Sequence, residues 1–317
     1  MHGPCENRAT LAESVPMAPS VLLDCDPGHD DVLAILTAAR YADLVGITTV
    51  AGNAALEHTT RNALVTTELA GIDVPVHAGA AAPLTGPTRD AVHVHGREGL
   101  EGVEVPRLRR RADGADAPGF IVDTARAMSG LWIVAVGPLT NVALALQRAP
   151  DLVHEVAGIS IMGGGTFGNA TAAAEFNIWA DPEAADVVFG SGAPIRLCGL
   201  DVTHQVCVDD AFLGTIAAVD TPICAFVGGL LRHYRARIAE LIDEDLAALH
   251  DPCAVLAVTH PDCFTFSAHR VRIELHGTHT RGMTVIDRRV ARGPVEVAWQ
   301  ADAARVLDLV AQAVTNE

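Results

Sequence analysis

In the stretch Val21-Leu22-Leu23-Asp24-Cys25-Asp26-Pro27-Gly28-His29-Asp30-Asp31, a short apolar run ends abruptly in acid. Asp24, Asp26, Asp30 and Asp31 place four carboxylates within eight residues. Pro27-Gly28 turns the chain between them, and an apolar-periodic segment, Val32 to Ala39, follows at once. The simplest geometry is a buried strand, a tight turn and a helix. Like charges packed this closely repel, and an interior raises their pKa values. A bound cation keeps several of them ionised together. Asp is also favoured at helix starts, which accounts for one or two of the acids but not for all four.

The same alternation continues outward. Leu44 to Val50 is a β-branched strand ending in Ala51-Gly52-Asn53, residues 54–70 form a helix closed by Gly71, and Val74 to Ala78 is a third strand. After an irregular segment, 79–118, the pattern resumes. A helix over 119–129 precedes the strand Leu131 to Val136, and the helix 141–148 precedes the strand Ile159 to Met162. Pro182 starts another helix, followed by the strand Ile195 to Cys198. Uninterrupted apolar strands between helices predict an α/β fold, an open and mostly parallel sheet with a Rossmann-like core covered on both faces. Residues 208–248 read as an α-rich elaboration, 253–260 as an apolar helix, 265–290 as a C-terminal hairpin and 301–314 as a final helix. Residues 1–19 read as a disordered tail and 20–317 as a single domain, without internal repeat or linker.

The net charge of −17 argues against nucleic acid or an anionic membrane surface as partner. All 22 basic residues are arginine, which excludes a Schiff-base lysine, a P-loop lysine or any other catalytic lysine. Seven scattered cysteines without a C-x-x-C pair indicate neither a disulfide framework nor a zinc site. No signal peptide or membrane-length apolar run is present, so a cytoplasmic setting is expected.

Ligands of open α/β sheets bind beyond the carboxyl ends of the strands. The polar residues expected there are the four acids with Asn53, Thr140, Asn141, Asn169 and Asp201. Gly163 to Gly168 fits G-x-G-x-x-G after a strand, but the strand is the fifth and no clear βαβ unit follows. A tight glycine turn beside a ligand is the better account than a dinucleotide site. His250-Asp251 at a helix start can complete the acid cluster from above, and His93-Val94-His95 lies in the irregular segment.

These motifs carry a resemblance. Asp24 to Asp31 resembles the N-terminal signature of the inosine-uridine-preferring nucleoside hydrolases. The likeness continues through Gly137-Pro138-Leu139-Thr140-Asn141, Met162-Gly163-Gly164-Gly165, Gly168-Asn169-Ala170-Thr171, Glu175-Phe176-Asn177, Asp181-Pro182-Glu183-Ala184-Ala185 and His250-Asp251-Pro252, in that order. It implies a calcium-dependent hydrolase that cleaves the N-glycosidic bond of a ribonucleoside to base and ribose. Ca²⁺ would be held by Asp26, Asp31, the backbone carbonyl of Thr140 and Asp251. Asp26 would also be general base toward a metal-bound water, and the transition state would resemble an oxocarbenium ion. Asp30 and Asn177 would grip the 2′- and 3′-hydroxyls, Asn169 and Glu175 the 5′ end, and Met162 would lie against the sugar. Asn53 would support the metal shell. His250 would protonate the leaving base, with His95 and Tyr234 on segments that close over it.

The resemblance also implies a homodimer or homotetramer. Two departures stand out. His29 occupies a position that is apolar in many members, facing either solvent or the base pocket. Ile238 stands where some pyrimidine-handling members have a second tyrosine one turn after Tyr234. Two rivals remain. One is a haloacid-dehalogenase-like phosphatase, suggested by Asp24-x-Asp26 and opposed by the absence of lysine. The other is a non-catalytic nucleoside or calcium binder.

Overall fold

A computed structural model describes residues 18–242, 247–289 and 292–316. The tail expected over 1–19 lies outside the described residues except at its last two positions. Among the described residues nine strands form one sheet: β1 (Ser20–Cys25), β2 (Asp43–Thr49), β3 (Val76–Ala78), β4 (Trp132–Ala135), β5 (Gly158–Met162), β6 (Ile195–Cys198), β7 (Phe264–Ile273), β8 (Thr284–Asp287) and β9 (Val295–Ala301). Their spatial order is β3-β2-β1-β4-β5-β6-β9-β7-β8. The first six are parallel and in the Rossmann order, and β9 continues them parallel to β6. β7 runs antiparallel to β9 and β8 antiparallel to β7.

The apolar strands make this sheet because both of its faces are covered. In β1, Val21, Leu22 and Leu23 are all fully buried. Leu22 joins Ile133, Ile159 and Leu197 in the core under the helices Ala117–Ala127, Thr140–Arg148 and Pro182–Gly190. Val21 and Leu23 face the other way, onto the helix His29–Tyr41 and the helix Asp251–Thr259. Each such side chain contributes about 1.5–3 kcal/mol on burial. The apolar Asp251–Thr259 helix, buried from Asp251 through Val258, brings the acid at its start over the sheet.

The predicted hairpin is present as β7 and β8, but it is not an appendage. β9, for which the sequence pattern predicts no element, inserts between β6 and β7 and fuses the hairpin into the main sheet. The alternation in Val295-Glu296-Val297-Ala298 was its only local signal, and pairing with β6 some hundred residues away is what realises it. The helix after the second strand ends as expected, on Gly71 in the left-handed conformation at φ 67°. No helix among the described residues is long and apolar enough to cross a membrane.

Candidate functional site

The strand order reverses between β1 and β4, which lie side by side although two strands and four helices separate them in sequence. A crevice opens at the carboxyl ends of two such strands, because their connections leave in opposite directions. Asp26 follows β1 and Thr140 follows β4, so the acid-rich turn lies at this crevice.

Asp24, still on β1, is locked inside the sheet. Its Oδ1 accepts from the Thr48 hydroxyl at 2.6 Å and from Asn141 Nδ2 at 2.8 Å. The Asn141 amide also donates to the Thr49 carbonyl and accepts from Ala80 N, so it cross-links β1, β2 and the loop after β3. Burial pushes the Asp24 carboxyl up to about 7 against those two hydrogen bonds.

Asp31 serves the turn and the cluster together. Its Oδ2 accepts from Gly28 N at 2.9 Å, closing the helix start, and its Oδ1 accepts from Asp26 N at 3.0 Å. The capping role weighed for these acids is therefore real for Asp31. Asn53 binds the same turn three times: its N–H donates to Asp26 Oδ2 at 2.6 Å, and its side-chain amide to the Asp26 carbonyl and Asp31 Oδ2. Asp26 keeps one oxygen, Oδ1, fully buried and without a partner among the described residues. Asp251 arrives from the start of its helix, and ligand atoms of Asp30, Asp31 and Asp251 all lie within 4.8 Å of one another. The chain separation between Asp31 and Asp251 is closed by the backbone N–H of His250, which donates to Asp30 Oδ2 at 3.2 Å.

Burial raises the pKa of all four of these acids, Asp30 to about 7, and Asp26 and Asp251 well above the carboxylate range. Neighbouring carboxylates add to the shift at Asp26, Asp30 and Asp251. No lysine exists in the chain to neutralise them. A buried, partly unpartnered set of oxygen donors with mutual repulsion fits a hard divalent cation.

The closely spaced group is Asp30, Asp31 and Asp251, whereas the set implied by the resemblance had Asp26 in place of Asp30. Thr140 is buried at its helix start, and its hydroxyl donates to Asp181 Oδ2 at 2.7 Å. Asp181 also accepts from Leu84 N and caps its own helix through Ala184 N. In the sequence Asp181 stands out only as part of a motif, yet it is what fixes Thr140.

The residues expected on the sugar side lie around the glycine turn after β5. Gly164 has φ 68°, and its N–H donates to Glu175 Oε2 at 2.8 Å. Glu175 also accepts from Asn177 N and Ile178 N, so this buried carboxylate caps the helix Phe176–Ala180. Burial nonetheless pushes it up to about 7. Asn177 donates from Nδ2 to the carbonyls of Val136 and Met162 and touches Met162 Sδ, which leaves its oxygen uncommitted. Asn169 accepts from Phe176 N. Asp201 clamps Thr166 through both N–H and hydroxyl, holding the glycine turn against β6.

Of the residues expected on the base side, Tyr234 and His95 stack on one another, and His250 lies near His95. Tyr234 is buried, donates to the Ala248 carbonyl at 3.2 Å, and stacks on His95 at 5.9 Å between ring centroids. His250 Nδ1 lies 2.8 Å from the Thr203 hydroxyl, and His204 packs on its ring at 5.6 Å. An imidazole in water titrates near neutral pH, which suits the acid role expected of His250. Burial, reinforced by His204, lowers it to about 3, so it is a neutral imidazole in this arrangement. His29 does not face solvent: it is fully buried against His95.

An α/β protein doubly wound around a cation-type carboxylate cluster, with polar side chains on one flank and imidazoles on the other, is thus defined by fold and site together. The chain belongs to the inosine-uridine preferring nucleoside hydrolase family, whose model matches residues 21–308. It is 39% identical over 312 residues to the pyrimidine-specific ribonucleoside hydrolase RihA of Shewanella woodyi, covering 94% of this chain and 98% of the relative. It is 39% identical over 283 residues to the inosine-uridine preferring nucleoside hydrolase of Leishmania major, covering 87% and 90%. The purine-preferring ribonucleoside hydrolase from Gardnerella vaginalis superposes with a TM-score of 0.88 at 33% identity, covering 94% of this chain and 98% of that one. The protein is therefore an enzyme of the nucleoside hydrolase class, acting on the N-glycosidic bond of ribonucleosides. The phosphatase alternative is overturned by this membership.

Proposed function

We propose that the enzyme hydrolyses ribonucleosides to free base and ribose with Ca²⁺ at the acid cluster. The observation that carries the reading is the orphaned, fully buried Asp26 Oδ1 beside Asp30, Asp31 and Asp251. Asp26, Asp31, Asp251 and the Thr140 backbone carbonyl would hold the ion. When bound, Ca²⁺ supplies positive charge that acidifies water and orients the ribose. Asp26 would take the proton of the attacking water, the role open to a carboxylate whose second oxygen is fixed by Asn53 N. The water oxygen bonds to C1′ as the C1′–N bond breaks, and that bond's electron pair leaves with the base.

The developing ribosyl cation would be stabilised by the surrounding carboxylates and by the Asn177 side-chain oxygen. Asp30 and Asn177 would accept the 2′- and 3′-hydroxyls, while Asn169 and Glu175 would meet the 5′ end and Met162 the sugar face. With the Thr203 hydroxyl donating to Nδ1, a neutral His250 would carry its hydrogen on Nε2 and hydrogen-bond through it to the departing base, which would take up the proton released by the attacking water. Among the described residues Cys25, Cys198, Cys224, Cys253 and Cys263 are buried free thiols, which supports a reducing, cytoplasmic setting. The single domain and an assembly of two or four subunits complete the reading.

The test is a reducing-sugar assay over inosine, adenosine, guanosine, uridine and cytidine, with and without a calcium chelator. Ribose release that stops on chelation and returns with Ca²⁺ is expected. No release from any of the five, with ligand binding retained, would instead establish a non-catalytic binder.

A backbone position gives a second check. A Cβ on Gly52 would collide with Asp26 Oδ2 and sit 2.8 Å from Pro138 Cδ. Gly52→Ala is expected to cut kcat by about 100-fold, the cost of displacing a catalytic group by an ångström or so. The protein should stay folded by circular dichroism. Unchanged kcat would show that the Asp26 position is not critical.

A further inference from the structure

His29 is unusual in being a fully buried imidazole inside the acid-rich turn with both ring nitrogens engaged. Its Nε2–H donates to the Glu101 carbonyl at 2.9 Å. Its Nδ1 lies 2.8 Å from His95 Nδ1, and two bare nitrogens at that distance would repel, so one hydrogen lies between them. The His29 backbone N–H points at the same His95 nitrogen from 3.2 Å. The rings stack at 5.0 Å between centroids, and Tyr234 stacks on both, at 5.5 Å from His29 and 5.9 Å from His95. His29 thus joins the metal-side turn to the segment 92–101, which contributes both His95 and Glu101. That segment is fastened elsewhere by Asn62 to the Glu98 carbonyl and by Arg237 to the His93 carbonyl.

We infer that His29 is a positioning residue that commits His95 Nδ1, leaves Nε2 as the ring atom open to the nucleobase, and thereby sets base preference. The inference rests on the proposed function only in taking the side of the site where His95 lies as the nucleobase side. A χ2 turn of about 180° exchanges a ring's nitrogens with its carbons, and this terminal torsion is otherwise broad. A ring anchored through Nδ1 cannot make that exchange without losing its bond. Nucleobases differ chiefly in the donors and acceptors along their edges. A fixed nitrogen discriminates among them, and a freely turning ring does not. An apolar residue at position 29 would remove the side-chain partner of His95 Nδ1 and leave only the backbone N–H at 3.2 Å to hold the ring.

The experiment uses the full chain with calcium, comparing H29L, H29N and H29Q on inosine, uridine and a nitrophenyl riboside, which has no base edge. Asn places a polar atom near the Nδ1 position, and Gln near Nε2. Loss of one oriented hydrogen bond predicts that H29L lowers kcat/KM for the nucleosides by about tenfold and alters the inosine-to-uridine ratio. H29N should recover most of that loss and H29Q little, with the nitrophenyl riboside changing less than about twofold in all three. Equal losses on all substrates, no loss, or H29N no better than H29L would each overturn the inference.

A second readout needs no turnover. The imidazole nitrogen resonances of His95, observed in protein labelled at histidine, should move in H29L and return in H29N. Unmoved resonances would refute the anchor. Failure of the wild type to release ribose from any nucleoside would refute the proposed function while this spectrum still decides the contact.

Discussion

Asp26→Asn is expected to lower kcat/KM for ribose release by about 10³-fold, within the range that general-base catalysis supplies. The substitution is nearly isosteric. With the amide oxygen at the Oδ2 position, it still accepts from Asn53 N, so the turn is kept. What is lost is the capacity to take a proton at the buried, unpartnered Oδ1. The loss should be as large on a nitrophenyl riboside as on inosine, because water activation is needed whatever the leaving group. A loss confined to nucleosides would assign Asp26 to the leaving base instead. Undiminished turnover on both would remove it from the mechanism. The metal-free variant should also melt higher than the metal-free wild type, since one of several repelling carboxylates has been neutralised.

Local pattern reached far in this chain because parallel strands buried on both faces are written as apolar runs. β1, β2, β4, β5 and β6 were legible for that reason, and their order in sequence already implied the doubly wound sheet. β9 was not, because a seven-residue strand with alternating polarity is meaningful only once β6 is beside it. In the site, the acid-rich turn announced itself by charge density alone. The structural duty of Glu175 as a helix cap, the grip of Asp181 on Thr140 and the pairing of His29 with His95 did not. Each depends on a partner brought close by the fold, and a lone Glu, Asp or His carries no sign of it. The neutral state of His250 was missed similarly: its typical pKa is a property of water, and burial reverses the expectation.

Removal of the cation is expected to destabilise the protein, and more at pH 8 than at pH 5. Asp24, Asp30 and Glu175 have pKa values raised to about 7 in the metal-free fold, from 3.8 for the aspartates and 4.5 for the glutamate. Below about pH 4 these groups are protonated in both folded and unfolded chains, and they do not affect the balance. Between that point and pH 7 the unfolded chain releases protons that the folded chain retains, so stability falls as pH rises. The loss is complete above the folded pKa. For Asp24 alone, a rise of about three units corresponds to about 4 kcal/mol.

A bound cation favours the ionised carboxylates. It therefore lowers the pKa of its neighbours and restores stability in the upper part of the window, while at pH 5 it must first displace their protons. At a free Ca²⁺ concentration of 100 times Kd the gain is about 2.7 kcal/mol, or a Tm rise on the order of 5 °C for a chain of this size. Thermal melts at pH 5 and pH 8, in chelator and in excess Ca²⁺, measure both terms. Equal shifts at the two pH values would mean that the ion binds away from the buried acids. An equal shift with Mg²⁺ would mean that the cluster does not select the larger ion, because Mg²⁺ demands a tighter octahedron and gives up its water reluctantly.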